Sequence, residues 1–293
     1  MPRKRFTSTQ PPTAVHARRR RLANTAAAIP LAIGLASTGL PSGRPVSPPG
    51  NGQAVVHKGS FTPACGLPFA GVRNPAIDDH CGIDGGSSNP AKQAESRAKN
   101  NFCAAKQLPE RFSYQDFVAL QEDADKANLP QNLTDRGVLE KMGEGKYVSY
   151  VAVIKDAHYS DVGSGEAVNC NIPGDPTNDI HIVLMPIPTE DPNFKDECRS
   201  TTAEISPHYR PLSWTPDNLN KLGRPVRIQG HLFYDGSHTP CKNGKGSPKR
   251  ISLWEIHPVY SIEVCELNGL DQCRNSTKSG DWVPLDKLLS SEQ

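Results

Sequence analysis

Residues 225–235 read PVRIQGHLFYD and residues 250–265 read RISLWEIHPVYSIEVC. Both stretches alternate apolar and polar side chains and are rich in β-branched and aromatic residues, the pattern of a strand with one buried face. In the first, Val226, Ile228, Gly230 and Leu232 fall on one side. Arg227, Gln229, His231, Phe233 and Asp235 fall on the other. In the second, Trp254 and Ile256 oppose Glu255 and His257, and Pro258 predicts a bend.

Three more strands precede these two. YVSYVAVIKDAHYS starts at Tyr147, NDIHIVLMPIP spans 178–188 and STTAEIS spans 200–206. A short helix is expected in PDNLNKLG at 216–223. Five strands with a helix between the third and fourth is the element order of an OB-type barrel. A generic antiparallel sandwich or open sheet is the competing arrangement. The expected class is α+β, mainly antiparallel β: an OB-like five-stranded barrel over 143–275, preceded by a small helical region and followed by a tail over 276–293.

The helical, cysteine-bearing region covers 61–142. Asn89-Pro90 reads as an N-cap followed by proline at the first helical position, and AKQAESRAKNNFCAA continues it, placing Cys103 near the helix end. A second helix is expected from Ser113 or Tyr114 to Leu129-Pro130, and a short helix or turn near Asp135 to Met142.

At the amino terminus, Arg18 to Arg21 precede the apolar run AAAIPLAIGLASTGL at 26–40. A basic stretch followed by a short apolar stretch with small residues is the pattern of a secretory signal. The arginines resemble a twin-arginine signal without its Phe and Lys. The run is short for a membrane span and is broken by Pro30 and Gly34. Residues 1–40 are therefore expected to be a cleaved targeting segment and 41–60, rich in Pro, Gly and Ser, a flexible linker. The mature chain is expected to be periplasmic or extracellular, with no integral span.

Of the 33 basic residues, seven lie in 1–40, which holds none of the 31 acids, so the rest of the chain carries a net charge of −5. That disfavours nucleic acid as the partner of the barrel, since such binders are usually basic. The one basic stretch is Lys242, Lys245, Lys249 and Arg250. Eight cysteines, Cys65, Cys81, Cys103, Cys170, Cys198, Cys241, Cys265 and Cys273, form no Cys-x-x-Cys pair. In an exported chain they predict up to four disulfides, with the pairing left open.

The segments DIHI at 179–182, VRIQGHLFYD at 226–235 and LWEIHPVYSIEVC at 253–265 resemble a group of uncharacterised bacterial exported proteins that share a W-E-I-H-P carboxy-terminal signature. The resemblance implies an OB-like domain over 145–266. It assigns no activity and no site.

Alternation allows one site to be assembled from the residues. If the strands are neighbours, His181, Glu204, His231, Glu255 and His257 gather on the polar face. Three imidazoles (His181, His231, His257) and two carboxylates suit a divalent metal such as zinc. With an open position such a metal activates water, with Glu255 or Glu204 as general base. The plainer expectation is a solvated outer face. The leading function is an exported binding or interaction module of unknown ligand. A metal-dependent hydrolase and a nucleic-acid-binding domain are the alternatives. Trp254, beside Ile256 in the alternation, is expected in the core. Asp235, Ser237 and His238 in one tight turn are expected to cap backbone groups rather than form a triad.

Overall fold

The computed structural model describes residues 59–291. The targeting segment of 1–40 and nearly all of the 41–60 linker lie outside them. The helical part contains α1 (Pro75–Asp78), α2 (Pro90–Lys99), the short strand β1 (Glu110–Phe112), α3 (Tyr114–Ala127) and α4 (Gly137–Met142). The long strand β2 (Tyr147–Tyr159) follows, then β3 (Ile180–Met185), β4 (Thr201–Ile205), α5 (Pro216–Asn220) and β5 (Pro225–Tyr234). A small hairpin, β6 (Thr239–Lys242) and β7 (Lys245–Ser247), leads to β8 (Trp254–Cys265). The chain ends with α6 (Leu270–Asn275), β9 (Trp282–Pro284) and α7 (Leu285–Ser291).

Five strands close a barrel in the order β2-β3-β4-β8-β5, and β5 pairs back onto β2. The thirteen-residue β2 serves both neighbours: 147–153 pairs with β5, and 153–159 with β3. All barrel pairings are antiparallel except β4 with β8. Numbered by barrel strand alone, the circuit is 1-2-3-5-4-1 with α5 between the third and fourth, so the structure is an OB-like barrel.

The apolar face of each strand fills the interior. Ile182, Ala203, Ile228, Leu232, Trp254 and Ile256 are all buried in one cluster. Phe117 and Tyr114 of α3 join that cluster, and Trp254 Nε1 donates to the Leu120 carbonyl at 3.2 Å. Trp254 is therefore a core residue, as its alternation implies. The helical region shares its core with the barrel. The segment after residue 275 does the same: β9 extends the sheet along the end of β8, and Leu285 is buried.

Gly230 marks the one place where β5 and β8 meet too closely for a side chain. A Cβ there would lie 2.5 Å from Ile256 Cγ2 and 2.5 Å from the Pro258 carbonyl oxygen. The register slips on both sides of it, because Pro258 has no N–H to give to the ladder.

Helix α2 begins as its sequence implies. The Asn89 side chain accepts from the Ala91 and Lys92 amides, and Pro90 sits in the first turn. It ends at Lys99, short of Cys103. Asn100 leaves the helix, and the Asn101 side chain accepts from the Cys103 amide at 2.8 Å, so local side-chain bonding wins over propagation. The eight cysteines pair as Cys65–Cys103, Cys81–Cys170, Cys198–Cys241 and Cys265–Cys273. Among the described residues no helix is long and apolar enough to cross a membrane.

Candidate functional site

The strand register places four of the five expected site residues together. His181 on β3 is opposite Glu204 on β4, and Glu255 on β8 is opposite Thr202, which sets His257 beside Glu204. His257 Nδ1 lies 2.6 Å from Glu204 Oε2 and 3.4 Å from Glu255 Oε1. His181 Nε2 lies 3.1 Å from Glu204 Oε1.

This face is not solvated, contrary to the plain expectation for an outer sheet face. Glu204, Glu255 and His257 are buried. Helix α2 and the loop after β2 cover them, and both bring charge. Lys99, the last residue of α2, reaches within 3.5 Å of Glu204 Oε2. Glu166 comes within 3.8 Å of His181 Nε2. From beneath, Arg250 bridges Glu255 at 2.7 Å and Asp235 at 3.0 Å. Arg250 is 1% exposed, so it contributes nothing to a basic surface and closes the charge balance of the core instead.

His231 is a correction to the expected site. It stands at the register slip beside Gly230, and its Nδ1 donates to the His257 carbonyl at 2.9 Å. Burial, reinforced by the charges of His257 and Arg136, pushes its pKa down to about 4, so the ring is neutral. It faces a different cleft, with Arg136, Glu140 and Glu144. Of the three imidazoles expected to form a metal set, His231 is outside and His181 is at the edge.

In its place the structure supplies Asp179, two residues before His181 on the same alternation. Single ligand atoms from Asp179, Glu204 and His257 lie within 4.8 Å of one another, and all three residues are buried. Asp179 Oδ1 accepts from Asn169 Nδ2 at 3.2 Å, whereas Oδ2 has no hydrogen-bond partner. His257 Nε2 also has none, and the two orphan atoms are 3.6 Å apart. They face each other as a long ion pair, without the hydrogen bond that buried polar atoms nearly always make.

The electrostatics follow from this crowding. Burial is the largest influence on His257 and His181 and works against their charge. The acids together outweigh it, Glu204 and Glu255 at His257 and Glu204, Glu166 and Asp179 at His181, and raise them to about 10 and about 9. Burial opposes ionisation of Glu204 as well, yet His181, Lys99 and His257 hold it well below the ordinary carboxylate range. Burial, then the charge of Glu166, pushes Asp179 up to about 7, with His257 opposing. Lys99 is held well above its usual value despite burial, by Glu204, Asp235, Glu255 and Glu166.

A cleft of about 240 Å³ opens above the cluster, lined by Lys92, Glu95, Lys99, Asp161, Glu166 and His238 among others. Lys99 and Glu166 belong to both the cleft and the cluster. Glu255, expected as a general base, does not line it and is bound by Arg250. The Asp235 turn behaves as expected: Asp235 Oδ1 accepts from the Ser237 amide at 3.1 Å and its hydroxyl at 2.5 Å. Lys99, Glu166 and Arg250 carry no periodicity signal of their own, since they come from a helix end and from loops.

No family model matches this chain, no curated protein matches its sequence, and no solved structure matches its fold.

Proposed function

We propose that the protein is an exported, disulfide-stapled binding module whose ligand is a divalent cation such as zinc, held by Asp179, Glu204 and His257. The facing orphan atoms carry this reading. Two zinc ligands at bond lengths of about 2.0–2.1 Å and a tetrahedral angle lie about 3.3 Å apart. The 3.6 Å between Asp179 Oδ2 and His257 Nε2 is close to that spacing. Carboxylate oxygen and imidazole nitrogen are the donors a borderline cation takes outside thiolate sites. The Nδ1 contact with Glu204 Oε2 at 2.6 Å fixes the orientation of the His257 ring.

Export is supported by the signal-like segment of 1–40 and by four disulfides, which form in oxidising compartments. Membership in the exported group with the W-E-I-H-P signature belongs to the same proposal.

Elemental mass spectrometry of the mature chain, purified without chelators from an oxidising compartment, tests it. About one equivalent of metal is expected, lost in Asp179→Asn and in His257→Gln. A metal-free chain that takes up no zinc or manganese on dialysis sinks the reading.

A hydrolytic role is the second reading, and one observation favours it: the cleft shares Lys99 and Glu166 with the cluster. Water reaching a bound cation from the cleft would ionise near neutral pH. A panel of ester and phosphoester substrates against the metal-loaded and chelated forms decides it. Turnover must require the metal.

A further inference from the structure

We propose that Lys99 is a tethered competitor for the cation: its ammonium holds Glu204 while the site is empty, and loading the site drives Lys99 out into the cleft. This rests on the cation reading above and adds its regulation. Glu204 is the point of conflict. Its carboxylate meets Lys99 Nζ at 3.5 Å and is one of the three ligands within 4.8 Å of one another. A divalent cation bound there repels an ammonium only a few ångströms away, and in a buried setting that repulsion is weakly screened.

The fold gives Lys99 somewhere to go. Its side chain is only 10% exposed, yet it forms part of the cleft wall. Lys92, Glu95, Ser96 and Lys99 follow the three- and four-residue spacing of one face of α2, and all line the cleft. Rotation about the lysine side-chain torsions moves the ammonium from Glu204 to the cleft without moving the helix. The helix itself is pinned. The Cys81–Cys170 bridge ties the segment before it, and Cys65–Cys103 ties the segment after it. The Gly86 amide also donates to the Ala167 carbonyl at 2.7 Å. The ammonium also lies 5.5 Å from the centroid of the Phe233 ring, a second contact that holds it inward.

The experiment pairs chemical labelling with affinity. The mature protein is treated with an amine-acetylating reagent with and without zinc, and modification at each lysine is read by peptide mass spectrometry. Lys99 is expected to be protected in the zinc-free protein and modified in the loaded one, while Lys126, on the surface away from the site, labels equally in both. Zinc affinity is then compared between the wild type and Lys99→Met, which keeps the side-chain stem. Loss of the competitor is expected to tighten binding by about tenfold or more. Bound zinc with Lys99 still protected, or equal affinity in a folded Lys99→Met, overturns this inference and leaves the cation reading standing. If neither protein binds zinc or manganese, both readings fall together. Should Lys99→Met not fold, the labelling of the wild type alone decides.

Discussion

The two faces of β3, β4 and β8 are built from adjacent residues and obey different rules. Inward, Ile182, Ala203 and Ile256 are buried in one apolar cluster, and what matters is volume. Outward, His181, Glu204, Glu255 and His257 touch ionised partners that come from α2, from loops and from one another, and what matters is charge. A size-preserving substitution is therefore mild on one face and severe on the other. Neither face is wet, so burial alone does not separate them. The covering segment does, and disulfides hold it in place.

The largest effect is expected at that covering. Closing a loop with a sequence separation of 89 residues, the Cys81–Cys170 bridge is worth about 4–5 kcal/mol in the chain-entropy picture. The Cys265–Cys273 bridge, with a separation of 8, is worth about 2–3 kcal/mol. Urea unfolding of the two double Cys→Ala variants should rank them in that order. The reverse order would mean that loop length does not set the contribution of these two bridges.

Next comes charge against volume. Glu255→Gln keeps the shape but removes a partner of a buried guanidinium, an effect on the order of 3 kcal/mol or more. Its core neighbour Ile256→Val loses one methyl group, about 1 kcal/mol. Denaturant midpoints of the pair measure the contrast directly, and equal losses would erase the distinction between the faces.

Acid and base should then act on the outward face. His181 and His257, raised to about 9 and about 10, contribute stability that is complete below their ordinary pKa of about 6.5. That contribution is lost as pH climbs through 9 and 10. Glu166, lowered to about 2 by its His181 hydrogen bond and Lys99 against the penalty of burial, contributes above its ordinary value. Its share disappears as pH falls toward 2, and that of Glu204, held well below the ordinary carboxylate range, is likewise lost in acid. Asp179, raised to about 7, runs the other way and weakens the fold as pH rises to 7. Melting temperature in chelator should fall on both limbs, and His257→Gln should flatten the alkaline one. The same proton on His257 competes with a cation, so zinc affinity is expected to rise with pH. An affinity that falls between pH 6 and 8 would remove His257 from the ligand set.

Much of the inward face was legible. Period-two alternation correctly separated Trp254 and Ile256 from Glu255 and His257, and the strand–helix order led to the barrel. The outward face was legible only within strands. His181, Glu204, Glu255 and His257 were placed together because alternation orders side chains along an element. Asp179 falls on that alternation too, but it stands one residue before β3, where the strand pattern no longer orders side chains. Lys99 and Glu166 could not be found this way, since no local pattern says which helix end or loop folds over a sheet. Arg250, in a run of lysines, read as surface charge. His231 obeyed the alternation and still left the cluster, because Pro258 interrupts the ladder opposite it.

The most direct test of the cation site is anomalous diffraction from crystals of the mature protein soaked in zinc, recorded on both sides of the zinc absorption edge. A single strong peak between Asp179 Oδ2 and His257 Nε2, within bonding distance of Glu204, is the expected result. Stoichiometric zinc with its peak elsewhere, or no peak beside these three residues, would contradict the account and leave the outward face as a self-neutralising ion network.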